Sequence, residues 1–273
     1  RHPRSYAADL PVSGAWRPGD PVGDRQFVDV ASGRPFVLES GDVLTHITMA
    51  YETWGELSPS ADNAILVCHA LTGDAHAFGE AGPGQPTPGW WNGVIGPGCG
   101  IDTDRYFVVC INALGGCQGS TGPSSVDPST GSPYGSKFPT VTIRDIVRCQ
   151  ARVADHLGIR RWHSVVGGSM GGMHALEWGV MFPERVESLA PLTTTLAASA
   201  QQIAWSAIGR TALVTDPRFR GGDYYDAKPG DGPAAGLAVA RAVAQITYRS
   251  EEVFAVRFGR DLVDPRHVYD PWD

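Results

Sequence analysis

A chain of 273 residues has room for one large domain or two small ones. Its 42% hydrophobic and 19% charged content fits a globular enzyme with a buried core, and 34 Gly and 21 Pro without any period exclude collagen-like and low-complexity chains. The net charge of −7, with no run of Lys or Arg, argues against a nucleic-acid or anionic-membrane partner, so an anionic substrate would need a local cationic pocket.

In chain order, residues 1–24 are Pro/Gly-rich and weakly patterned, which predicts an extended arm. The segments RQFVDV, FVLES and LTHITMAYETWGEL predict antiparallel strands, with turns at Ser32-Gly33 and Gly41-Asp42. The pattern then changes. NAILVCHA (63–70), RYFVVCINA (105–113) and RWHSVVGG (161–168) are short apolar runs flowing into glycine-containing loops, which predicts parallel strands buried on both faces and covered by helices. Ile143, Ile146, Val147, Gln150, Ala154 and Leu157 recur at helical spacing before Gly158, and MGGMHALEWGVMF predicts a second helix closed by Pro183. VESLAPLTTT follows as another strand. Strand and helix alternating in this way imply a mostly parallel α/β sheet over residues 25–195. From 196 to 260 the pattern is helical, broken by DPRFRGGDYYDAKPGDGP, and is expected to form a lid over the C-terminal ends of the strands, where such sheets bind ligands. Residues 261–273 read as the start of a return to the core, with the C-terminal part of the sheet missing.

The five cysteines, Cys68, Cys99, Cys110, Cys117 and Cys149, contain no CxxC pair, and Cys68 and Cys110 lie inside apolar runs. Free thiols in a reducing compartment, and no zinc site, are the reading. With no signal-peptide pattern and no membrane-length apolar stretch, a cytoplasmic location is expected.

Gly167-Gly168-Ser169-Met170-Gly171 satisfies Gly-x-Ser-x-Gly between a predicted strand and a predicted helix, which is the context that makes the pattern informative. A turn this sharp excludes bulky neighbours and lifts the hydroxyl above the sheet edge, and the helix behind it offers free N–H groups to a developing oxyanion. The competing reading makes Ser169 a helix N-cap in a tight glycine turn. A second oxyanion donor has to come from a loop after an earlier strand. His69-Ala70-Leu71-Thr72-Gly73 supplies one, so the Leu71 and Met170 N–H groups are the candidate pair. His69, Asp74 and His76 fit no metal-binding spacing, and His69 reads as a residue that orients this loop.

The general base is harder to place. In this architecture it follows the serine in the chain, which leaves His174 and His267. His174 lies about 7 Å down the helix that Ser169 opens, and His163 is about 20 Å away at the start of the strand. His267, with Asp261 or Asp264 before it, stands in a Pro-rich tail with no strand to carry it. The triad acid and histidine are therefore expected outside these residues.

HALTGDAH, FVVCINALGGCQGSTGPSS, VVGGSMGGMHALEW and ITYRSEE, in that order, resemble the homoserine O-acetyltransferases of methionine biosynthesis, members of the α/β-hydrolase superfamily. The resemblance covers about residues 25–260. It implies that Ser169 takes an acetyl group from acetyl-CoA and passes it to the hydroxyl of L-homoserine, with no permanently bound cofactor. It also implies that Arg241 faces the homoserine carboxylate, that Tyr248 lines the same tunnel, and that the helical lid pairs two subunits into a homodimer. The family's C-terminal aspartate and histidine have no match here, so these residues alone would be a poor catalyst. Siblings that use succinyl-CoA or serine, a plain esterase, and a non-catalytic ligand-binding relative are the alternatives.

Overall fold

The computed structural model describes residues 10–259. Ten strands form: β1 (Gln26–Asp29), β2 (Phe36–Val37), β3 (Val43–Leu44), β4 (Thr48–Trp54), β5 (Ala64–Cys68), β6 (Ile95–Gly96), β7 (Ile101–Asp102), β8 (Phe107–Ile111), β9 (Ser164–Gly168) and β10 (Leu189–Leu192). Six of them make one sheet in the order β1-β4-β8-β5-β9-β10. β1, β4 and β8 pair antiparallel, whereas β8, β5, β9 and β10 run parallel. Helices α1 (Ile143–His156) and α2 (Met170–Met181) pack on this unit, which runs from Gly14 to Ala197.

Side chains on β5 and β8 alternate between two cores, because successive residues of a strand point to opposite faces. Leu66, Val109 and Ile111 meet the α1 and α2 side, with Val147, Val153, Ala175 and Trp178. Ile65, Val67, Val108 and Cys110 meet Ala77, Ile95 and Ile101. Sequence patterning predicted helices on both faces. The second face is instead covered by the glycine-rich segment 75–101, which holds only β6 and β7. On the α1 and α2 side, the fully buried Trp162 before β9 and Trp178 of α2 pack edge to face, with ring centroids 6.1 Å apart. Burying a large apolar side chain of this kind contributes about 1.5–3 kcal/mol.

β4 also departs from expectation. Alternation would leave its even-numbered residues in water, yet Ala50 (0% exposed) and Glu52 (1%) are as buried as Met49 and Tyr51. The cause is its position: β4 lies between β1 and β8, and its second face meets Gly119 at Ala50 and His76 and Gln85 at Glu52. Residues 14–24 carry no regular element, but they are tied down. The Trp16 N–H donates to the Cys117 carbonyl at 2.9 Å, and its ring lies 5.0 Å from Phe27.

The second compact unit contains, among described residues, 10–13 and 198–259. It holds α3 (Ala200–Thr215), α4 (Ala234–Thr247) and α5 (Glu251–Phe258). Small residues let α3 and α4 approach closely: a Cβ on Gly236 would lie 2.5 Å from the Ala212 carbonyl oxygen. Ser199 caps α3 with a reciprocal box to Gln202. Asp261, Asp264 and His267 lie outside the described residues.

Candidate active site

Ser169 stands at the junction of β9 and α2 with φ 56° and ψ −120°, a conformation that non-glycine residues rarely adopt. Its surroundings impose the glycines. A Cβ on Gly171 would sit 2.0 Å from the Cys68 carbonyl oxygen, one on Gly167 would sit 2.3 Å from the Gly171 oxygen, and one on Gly172 would meet the Thr194 side chain at 2.6 Å. Gly168 meets nothing closer than 3.9 Å, so the pattern needs glycine at its outer positions and tolerates other residues inside. The strained backbone is held by hydrogen bonds. Ser169 N–H donates to the Leu192 carbonyl at 3.0 Å, and the Ser169 carbonyl accepts from Gly172 N–H at 3.0 Å and from the Thr194 hydroxyl at 2.7 Å.

Although Ser169 occupies the N-cap position, its side chain makes no capping bond. The residue is exposed. Among the described residues its hydroxyl has no partner at the C-terminal edge of the sheet, and the N-cap alternative fails. Beside it, Thr193 follows β10 with φ 42°, a further strained position and an uncommon one for a β-branched residue.

The loop after β5 is fixed by its first residue. Buried His69 holds the Ala70 carbonyl through Nδ1 at 2.7 Å, and its Nε2 accepts the Ala113 N–H at 2.9 Å. That pairing sets the tautomer, with the proton on Nδ1. Burial also holds its pKa below the ordinary histidine value, so the ring stays neutral. Both nitrogens are engaged, which removes His69 as a metal ligand and fits a residue that ties the loop to the segment after β8. Among the described residues, neither the Leu71 nor the Met170 N–H donates to a protein acceptor. Leu71 is 74% exposed.

Glu52, a buried carboxylate, escaped the sequence reading. Glu52 on β4 accepts from His76 Nδ1 at 2.9 Å through one carboxylate oxygen and from Gln85 Nε2 through the other. Burial raises the Glu52 pKa, and the His76 bond opposes that rise. Asp24, Glu52 and His76 bring ligand atoms within 4.8 Å of one another. However, Gln85 and His76 already occupy the Glu52 oxygens, and Arg25 adds a cation nearby. Under the elbow, His174 is fully buried against Gln150 (3.4 Å), which accepts from Trp178 Nε1 at 2.9 Å. Burial pushes its pKa down to about 3, so His174 is neutral, and its Nδ1 is turned to Gln150. It is not the base.

Arg241 lies on α4 and Tyr248 at its C-terminal cap, both in the helical unit. Tyr248 is 68% exposed, and among the described residues Arg241 makes no hydrogen bond or ion pair. An open depression of about 620 Å³, lined by residues including Glu56, Asn63 and Arg105, sits at the N-terminal ends of β5 and β8, the opposite sheet edge from Ser169.

Known proteins resemble this arrangement. The sequence pattern of the alpha/beta hydrolase fold matches residues 63–270. A homoserine O-acetyltransferase of Thermobifida fusca is 55% identical over 93% of this chain. The chain spans about two thirds (66%) of that relative's length. The crystal structure of homoserine O-acetyltransferase from Bacillus anthracis superposes with a TM-score of 0.79 at 30% identity, covering 88% of this chain and 64% of that one. An acetylester hydrolase from Corynebacterium glutamicum superposes with a TM-score of 0.74 at 28% identity, covering 87% and 62%. With the strand order, the serine turn and the matched segment in agreement, the chain belongs to the alpha/beta hydrolase fold family.

Proposed function

We propose that the protein is an acyltransferase that moves an acetyl group from acetyl-CoA to the hydroxyl of L-homoserine, a step in methionine biosynthesis. The observation that carries this reading is the Ser169 elbow, strained and with its hydroxyl free, in a chain 55% identical to a homoserine O-acetyltransferase.

Ser169 Oγ attacks the thioester carbonyl. A new C–O bond forms, the C–S bond breaks, and the serine proton leaves with the CoA thiol. The Leu71 and Met170 N–H groups steady the tetrahedral oxyanion, helped by the N-terminal end of α2. The homoserine hydroxyl then attacks the ester, its proton returns to Ser169 Oγ, and O-acetylhomoserine is released. A histidine and its carboxylate partner, from sequence corresponding to the remaining third of the relatives, serve as the base. Arg241 pairs with the homoserine carboxylate through its planar fork, and Tyr248 lines the same channel. No resident cofactor is required. The helical unit, whose α3 buries no residue and carries exposed Ile203 and Ile208, is the proposed homodimer surface. The proposed location is the cytoplasm. No described helix is long and apolar enough to cross a membrane.

Esterase chemistry is the second reading, favoured by the likeness to the acetylester hydrolase. Product analysis on the full-length protein separates the two, with acetyl-CoA and L-homoserine supplied together and succinyl-CoA and L-serine in parallel. O-Acetylhomoserine is expected to exceed free acetate. Acetate alone would make the protein a hydrolase, and a dominant succinyl or seryl product would name the sibling transferase.

A further inference from the structure

We propose that Glu52 and His76 form a positioning pair that sets the oxyanion loop, so that acylation of Ser169 depends on a carboxylate lying on β4. This rests on the proposed role of the Leu71 N–H.

The stretch from Ala70 to Asp74 has no buried side chain, and apolar anchorage begins only after it, with buried Ala75 and Ala77 and with Phe78 against Trp54. Polar clamps hold the stretch from its two ends. At the entry, His69 joins Ala70 to Ala113. At the exit, His76 Nδ1 meets Glu52 at 2.9 Å, with side-chain exposures of 4% and 1%. Gln85 Nε2 holds the other Glu52 oxygen, and the Gln85 oxygen accepts the Asp24 N–H at 3.2 Å, so the carboxylate cannot swing away.

The clamp reaches back along the loop. His76 N–H donates to Asp74 Oδ1 at 2.9 Å. The Asp74 carbonyl accepts from Trp90 Nε1 at 3.0 Å, and Trp90 N–H donates to the His76 carbonyl at 3.3 Å. Only Thr72 and Gly73 lie between Leu71 and Asp74, so displacement at His76 is passed directly to the candidate donor. Packing gives no reason for two buried ionisable groups here, since a hydrophobic pair of similar volume is commonly as stable. Among the described residues the buried His76 Nε2 has no partner, a cost that a purely structural pair would not need.

The test uses the full-length protein with His76→Ala, His76→Asn and Glu52→Gln. Asn keeps a side-chain donor near the Nδ1 position. Two readouts are taken: the single-turnover rate of Ser169 acylation by p-nitrophenyl acetate, and KM for homoserine. Oxyanion contacts act in the transition state, so His76→Ala and Glu52→Gln should slow acylation about 10- to 100-fold with KM nearly unchanged. His76→Asn should recover most of the rate. Hydrogen exchange at residues 70–78 should rise in the slow variants while α1 and β5 stay protected. Acylation within about twofold of the parent in folded variants, or an Asn variant no faster than Ala, would overturn the inference. If His76→Ala does not fold, Glu52→Gln against His76→Asn decides by the same rates. A parent protein that is never acylated fails the proposed function instead, because its variants then have no rate to lose.

Discussion

At the scale of single residues, the site depends on groups that burial forces into one protonation state. His174 is the clearest case: fully buried beneath the serine turn, its pKa is held at about 3. The unfolded chain protonates this ring near pH 6.5 and the folded chain does not, so between those values the unfolded state binds more protons. Stability is therefore fully present above about pH 6.5 and is lost as pH falls, by about 1.4 kcal/mol per pH unit for one proton. His69, also depressed by burial, adds to the same slope. Urea midpoints from pH 7 to 4.5 should decline accordingly. A His174→Gln variant, which keeps the chain polar and removes the proton, should show a shallower decline by about one proton. An unchanged slope would mean that His174 is accessible to protons in the folded state.

Ser169 was legible at this scale because the physics of its turn is written in neighbouring glycines. Thr193 was not, because nothing in LAPLTTTL announces that one threonine takes a positive φ. Glu52 was hidden for another reason. A carboxylate in an alternating strand reads as solvent-facing, and only the coverage of both faces of β4 makes it a buried hydrogen-bond acceptor.

At the scale of elements, α1 supports the elbow from behind, since it carries Gln150 to His174 and Trp178. Its start is fixed by a reciprocal capping box, with the Thr142 hydroxyl accepting from Asp145 N–H and the Asp145 carboxylate accepting from Thr142 N–H, each at 3.2 Å. The Asp145 side chain is completely buried and also accepts from Glu39 N–H (3.1 Å) and Arg148 (3.2 Å). Thr142→Ala should cost about 1 kcal/mol. Asp145→Ala should cost about 3 kcal/mol, because Arg148 loses its partner and several donors are left unpaired. Denaturant midpoints check both, and equal losses would show that the buried carboxylate does no more than cap. The helices of this unit and its parallel strands were readable from periodicity. The 75–101 cover was not, because a glycine-rich segment with two-residue strands has no period to detect, and its packing is decided only by the sheet it lies on.

At the scale of the molecule, the chain divides into two compact units. The sheet unit carries Ser169, Leu71 and Met170, and the helical unit carries Arg241 and Tyr248. Dimer formation is beyond what one chain's periodicity conveys. Three of the described histidines are committed elsewhere: His69 and His174 are buried and neutral, and His76 is paired with Glu52. The central claim is therefore that Ser169 becomes a covalent acyl carrier in the full-length protein. The most direct measurement is the intact mass after a brief exposure to acetyl-CoA, followed by peptide mapping, with Ser169→Ala alongside. One acetyl group on Ser169, absent from the variant and removed by added homoserine, is the predicted result. An unmodified Ser169 in a protein that still makes O-acetylhomoserine would contradict the covalent route.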